Sequence, residues 1–213
     1  MAASSIHAFI TAPLPDVGAW CAALRNRTIP VLEATAAALA ELREIEDSVD
    51  ARMLSEAIAG DALMTLKVLR HVAEIRRDRS GSSIETVTAA TVLLGVPPFF
   101  RAFASLQTLE DRLGQFPEAL AGAGAVMQRA HRAAQFALGF AVHRMDHDAE
   151  VIHEAALLHD FTELLLWANA PSLALEIQRS KHRVPGMRST EAQRHALNIE
   201  LHDLQQALMH EWN

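Results

Sequence analysis

The chain has no tyrosine, one cysteine, nine glycines, eight prolines and, among its 19 basic residues, only the lysines Lys67 and Lys181. Each shortage excludes something. The lone Cys21 leaves no internal disulfide framework and no Cys-rich zinc site. Few β-branched residues, and aromatics at 5%, argue against sheets and for packed helices. No apolar run approaches the roughly 20 residues of a membrane span. No basic residue precedes Arg25, so nothing reads as the charged start of a signal peptide. A cytoplasmic chain without a membrane partner is the expectation. The net charge of −7 speaks against nucleic acid as a partner, because phosphate-backbone binding is driven by cations. The arginines are spread along the chain rather than gathered in a patch.

What is present is helical. Half of the 213 residues are hydrophobic and 21% are charged, enough for one large domain or two small lobes. A short helix is expected from Asp16 to Arg25. After Ile29-Pro30, the residues Val31, Ala34, Ala38, Leu42 and Ile45 recur at helical steps. Asp50 and Asp61 sit where N-caps belong, and Gly60 closes the helix between them. Ser82 and Glu85 have capping-box spacing before another helix that Gly95 stops. Pro97-Pro98 restart the chain, with Phe99, Phe100 and Phe103 on one side as core.

The stretch from Gln107 to Pro117 is the natural boundary. Beyond it, Met127, Ala130, His131, Ala134 and Ala141 share a face, and Gly122 and Gly124 weaken the start of that helix. A helix capped by Asp148 is expected to carry Ile152, Ala155, Ala156 and His159 inward. One last helix from Ser189 or Thr190 shows Leu197, Leu201, Leu204, Leu208 and Trp212 as its stripe.

His131, His159 and Asp160 form the most suggestive constellation. If the helices bearing His131 and His159 pack antiparallel, two imidazoles and a carboxylate converge. That donor set suits a divalent metal with an open position for water. The plainer alternative is a buried histidine hydrogen-bonded to a carboxylate or carbonyl, for which loss of either histidine costs about 1–3 kcal/mol of stability. Other features are weaker. His153-Glu154 begins like a zinc-protease helix, but Leu157 stands where the second histidine belongs. His143 and His147 read as solvated, and Asp146, Asp148 and Glu150 as a helix start favoured by the macrodipole.

Four motifs in order resemble the HDOD family, the HD-related output domains of bacterial signalling proteins. They are Ile29-Pro30-Val31-Leu32-Glu33, the segment from Ala59-Gly60-Asp61 to Arg70, Ser83-Ile84-Glu85 through Leu94-Gly95-Val96, and Leu157-Leu158-His159-Asp160-Phe161-Thr162. The resemblance covers Arg27 to Trp212. It implies an all-α fold of two helical lobes, the C-terminal one like an HD domain. Residues 1–28 are then an N-terminal arm or short helix, 29–110 the first lobe and 111–213 the HD-like lobe, one HDOD unit overall.

In the HD superfamily an upstream histidine, the His-Asp pair and a later aspartate hold a divalent metal. The resemblance places His131, His159 and Asp160 at the first three positions, as residual candidates. Anchored on Trp212, the family pattern puts Leu201 where a histidine belongs and Gln205 at a glycine position, while Asp203 lies about 200° around the helix from Leu201. Phe161-Thr162-Glu163 also replaces the Ile-Gly-Lys of catalytic relatives, exchanging a cation for an anion that repels phosphate. The reading is a non-catalytic bacterial signalling module that binds a protein partner or small effector. No cofactor is expected beyond a divalent metal ion if the residual site fills. The rival is a divalent-metal phosphohydrolase acting on a nucleotide or cyclic dinucleotide.

Overall fold

The computed structural model describes residues 8–77 and 84–212. Within them the regular elements are helices, and the β-like geometry is an isolated parallel bridge between Val31 and Thr108. The first elements are α1 (Val17–Leu24), α2 (Glu33–Glu44), α3 (Ala51–Ile58), α4 (Ala62–Arg76), α5 (Val87–Leu94), α6 (Val96–Ala102) and α7 (Leu109–Leu113). Then follow α8 (Pro117–His143), α9 (Ala149–Leu157), α10 (Phe161–Asn169), α11 (Pro171–Arg183), α12 (Ser189–Leu197) and α13 (Leu201–Trp212). The all-α class is as the composition implies.

Side-chain caps start the early helices. Asp16 accepts the N–H of Ala19 at 2.8 Å and Asp50 that of Met53 at 2.8 Å. Asp61 does more. One carboxylate oxygen accepts from Leu63 and Met64 at 2.9 and 3.0 Å, and the other takes the Leu32 N–H at 2.7 Å. A single buried carboxylate thus caps α4 and fixes the entry of α2. At α5 the cap is Thr86, which accepts from Ala89 at 3.1 Å. The capping box drawn from Ser82 to Glu85 begins outside the described residues, and α5 itself starts after Thr86.

Two expectations need correction. The helix begun at Asp148 does not continue through His159: α9 ends at Leu157, and α10 starts at Phe161. The terminal helix is likewise two, α12 and α13, broken where Asn198 takes a left-handed conformation at φ 65°. Asparagine tolerates that region better than most residues, so it ends α12 as glycine often ends helices. The Leu197–Trp212 stripe nevertheless stays buried on both sides of the break.

The apolar residues gather into two clusters. The smaller joins Val31, Leu54, Ile58, Val68, Val87 and Phe99. The larger runs from Trp20 on α1 through α8, α10 and α11 to Trp212 on α13. α4 serves both, giving Leu63 and Leu66 to the larger core and Met64, Val68 and Val72 to the smaller. A helix with apolar residues on two faces has to be sandwiched in this way. Among the described residues no helix is long and apolar enough to cross a membrane.

Candidate functional site

α8 is 27 residues long, and the chain reverses after it through Met145 at φ 55°. α9 and α10 then return along α8 one after the other. His159 and Asp160 lie in the joint between those two short helices. There the Leu158 carbonyl receives the Phe161 N–H at 3.1 Å, and the Asp160 carbonyl that of Glu163 at 3.0 Å. The joint turns His159 outwards, and its side chain is 81% exposed. This corrects the inward placement, which assumed one continuous helical phase from Asp148.

Arg129 of α8 reaches this joint. Its Nε and Nη2 donate to Oδ2 of Asp160 at 3.1 and 2.9 Å, and Nη2 also donates to Oε2 of Glu163 at 2.7 Å. The second Asp160 oxygen, Oδ1, lies 3.0 Å from Nδ1 of His159. Burial by itself raises the Asp160 pKa. The hydrogen bonds and charge of Arg129 and His159 outweigh it and hold the carboxyl below its ordinary value. Burial lowers the Arg129 pKa, and the two carboxylates overcome that and raise it. One guanidinium therefore sits between two anions, using its fork of donors as a compact cation cannot.

His131 is elsewhere. Residues two apart on a helix diverge by about 200°, so with Arg129 turned to α10, His131 faces away. It is exposed in a shallow depression with Gly60, Met127, Gln128 and Arg132. The charge of His131, after burial, helps to lower the pKa of His153 on α9, so the imidazole it lies near is His153 rather than His159. The structure joins His159 to Asp160 and sets His131 apart. Among the described residues no group of three or more His, Cys, Asp or Glu side chains could hold a metal ion. His131, His159 and Asp160 are thus dispersed, with Asp160 engaged on both oxygens.

The joint opens into a cleft of about 770 Å³ between α8, α10, α11, α12 and α13. Leu201 lies in its wall and is buried. Asp203 is exposed and does not line the cleft. Gln205 does, and its Oε1 accepts from Thr162 at 3.5 Å. Gln193 braces the far side, taking the Leu201 N–H at 3.0 Å. Lys181, His182 and His202 stand along the lining as exposed basic groups.

Trp167 of α10 forms part of the wall, is buried, and finds no acceptor for its indole N–H among the described residues. Its ring is seated on Gly122, where a Cβ would fall 2.5 Å from Cη2. That glycine, which weakens α8 as an isolated helix, is what lets α10 approach.

A sequence model of the HDOD domain matches residues 29–213. The chain belongs to the HDOD family. No curated protein matches it. Solved structures that resemble this HDOD chain include the MmoQ response regulator from Methylococcus capsulatus str. Bath, with a TM-score of 0.65 and 21% identity over 88% of this chain and 72% of that one. A fragment of the same regulator, residues 20–298, gives a TM-score of 0.68 and 23% identity over 87% of this chain and 69% of that one. At such identities the likeness speaks for the fold.

The residue that sequence reasoning missed is Arg129. The signal was available. Asp160 and Glu163 are three apart and share a helical face, so two neighbouring anions call for a cation from the facing helix, and Arg129 lies on it.

Proposed function

We propose that this HDOD chain is a non-catalytic regulatory module that works by binding, with the cleft beside Asp160 receiving a small effector or a segment of a protein partner. One observation carries the reading: Arg129 bridges Asp160 and Glu163, so a side chain of the protein itself supplies the positive charge between those carboxylates. An arginine neutralises anions but cannot activate water as a Lewis acid does. The displaced His131 and the apolar Leu201 point the same way. The cleft has a size common for ligand sites and an apolar wall edged with convergent polar groups, which favours recognition. The family is named for output domains, and the similar solved structures are of a response regulator.

Two measurements on the purified chain test this. Metal analysis after incubation with Mn²⁺ or Zn²⁺ is expected to find well below one ion per chain, and a chromogenic phosphate ester no turnover. Stoichiometric metal that disappears in His159→Ala, together with phosphatase activity, overturns the reading in favour of the metal phosphohydrolase. For binding, Ala125→Trp fills the cleft from an exposed position of α8. Partners or effectors recovered from extracts of the native host are expected to be retained by the wild type and lost by this variant.

A further inference from the structure

The second half of α8 carries a feature the cleft does not use. Between residues 135 and 148 the sole buried side chain is Ala141. Large apolar groups there face outward: Phe136 is 71% exposed, Phe140 70%, Val142 60% and Met145 85%. Arg132, Phe136, Gly139, Phe140 and His143 follow helical spacing and share one face. The two phenylalanine rings present roughly 250–350 Å² of apolar surface, given the size of aromatic side chains. That is near the lower end of the largest patches monomers expose; Val142 diverges from Phe140 by about 200° and lies on the other flank of the helix, and Met145 stands beyond its end.

We propose that this face of α8 pairs antiparallel with the same face of a second copy of the chain, the two helices crossing at Gly139. Three features of this face select a second copy over an unrelated partner. First, the face is self-complementary in charge. An antiparallel crossing centred on Gly139 sets Arg132 of one copy over the turn that follows His143, where α8 ends, in the other. Arg132 makes no ion pair within the described chain, and neither do Asp146, Asp148 and Glu150 at the tip of the α8–α9 hairpin. A twofold axis brings Arg132 of each copy to a turn where Asp146, Asp148 and Glu150 outweigh Arg144, twice over, as an isologous interface requires.

Second, a Cβ at Gly139 meets nothing within 4 Å in the chain itself. The chain's own packing does not need this glycine, which costs α8 about 1 kcal/mol against alanine. A close helix crossing accounts for it, because axes 8 Å apart leave little room for a side chain at the contact.

Third, the area suits a weak, concentration-dependent pair. Twofold pairing buries both phenylalanines of each copy, roughly 500–700 Å² of apolar surface, to which the polar flanks add, at the low end of interface sizes. The pairing is independent of the cleft and of what binds there.

Sedimentation velocity of the full chain from 1 to 100 µM tests the proposal. The expected result is a concentration-dependent dimer whose dissociation constant rises at least 100-fold in Phe136→Glu and Phe140→Glu. Arg132→Glu is expected to weaken it about tenfold, and Arg132→Glu combined with Asp146→Arg to restore it. Gly139→Leu supplies a variant that folds at least as well, since the site is open and the helix gains a better former, yet pairs worse. Circular dichroism separates lost pairing from lost folding. A wild type that stays monomeric at 100 µM overturns the proposal, as does a dimer indifferent to both phenylalanine substitutions.

Discussion

The carboxylate of Glu154 on α9 accepts the backbone N–H of Val87, the first residue of α5, at 2.8 and 3.1 Å through its two oxygens. The contact spans the two cores, since Leu157 of α9 lies in the larger cluster and Val87 and Ala90 of α5 in the smaller. Glu154 is buried with few donors around it. Burial pushes its pKa up to about 7, Glu150 adds to the rise, and the Val87 N–H opposes it.

Stability should therefore depend on pH through Glu154. Between the ordinary glutamate range and about 7, the folded chain holds a proton that the unfolded chain releases. The contribution is whole at acid pH, falls as pH rises through that window, and is lost above it. His153 works the other way, because burial and then the charge of His131 lower its pKa. The comparison with Glu154→Gln isolates the glutamate, and the amide oxygen can still accept from Val87. We expect the variant to match the wild type near pH 4.5 and to exceed it by roughly 1–3 kcal/mol at pH 8. Urea unfolding at both pH values measures it, and equal stabilities at pH 8 refute it.

Gly122 and Gly124 look alike in sequence and should respond oppositely to alanine. At Gly122 a Cβ lands 2.5 to 2.9 Å from three ring atoms of the buried Trp167, so α10 must shift. At Gly124 it meets nothing within 4 Å. Gly122→Ala is expected to cost about 1–3 kcal/mol through overpacking, despite the better helix former. Gly124→Ala should gain up to about 1 kcal/mol. Thermal melts of the pair decide it, and equal shifts would falsify the packing role of Gly122.

The same contrast marks what could be read before the fold was known. The stripe from Leu197 to Trp212 was legible because burial imposes a period that a chain break does not erase. The break at Asn198 was not, since it rests on the backbone state of one residue. Extending the phase of α9 across residues 158–160 sets His159 inward, and the joint there resets that phase. For His131 the helix and its general packing partner were right, and the rotation was wrong: on α8, position 129 rather than 131 meets α10. The His159-Asp160 pair survived as a contact because the two are neighbours in the chain.

The histidines should separate by exposure. His131 and His159 are exposed, so His131→Ala and His159→Ala are expected to change stability by no more than about 0.5 kcal/mol. Their exposure removes the basis for the loss of about 1–3 kcal/mol that buried histidines would show. His153 is buried between α8 and α9, and His153→Ala should cost about 1–3 kcal/mol through lost packing. Denaturant midpoints of the three variants at one pH rank them, and a loss at His159 as large as at His153 contradicts the placement.

Arg129 offers the sharpest test of whether a side chain has taken over the role of an ion. Arg129→Gln leaves Asp160 and Glu163 facing each other without their shared cation, after contacts of 2.9 and 2.7 Å in the wild type. The side chains are 51%, 30% and 35% exposed, so solvent screens the loss. We expect a cost of no more than about 1 kcal/mol at low salt, shrinking at high salt. The freed carboxylates then make a modest site for a hard divalent cation, with His159 at its edge. Millimolar Mn²⁺ should raise the melting temperature of Arg129→Gln and leave the wild type unmoved, because only an ion that prefers the folded state stabilises it. If Mn²⁺ stabilises both proteins equally, the cation binds somewhere other than between Asp160 and Glu163, and the guanidinium is not what keeps it out.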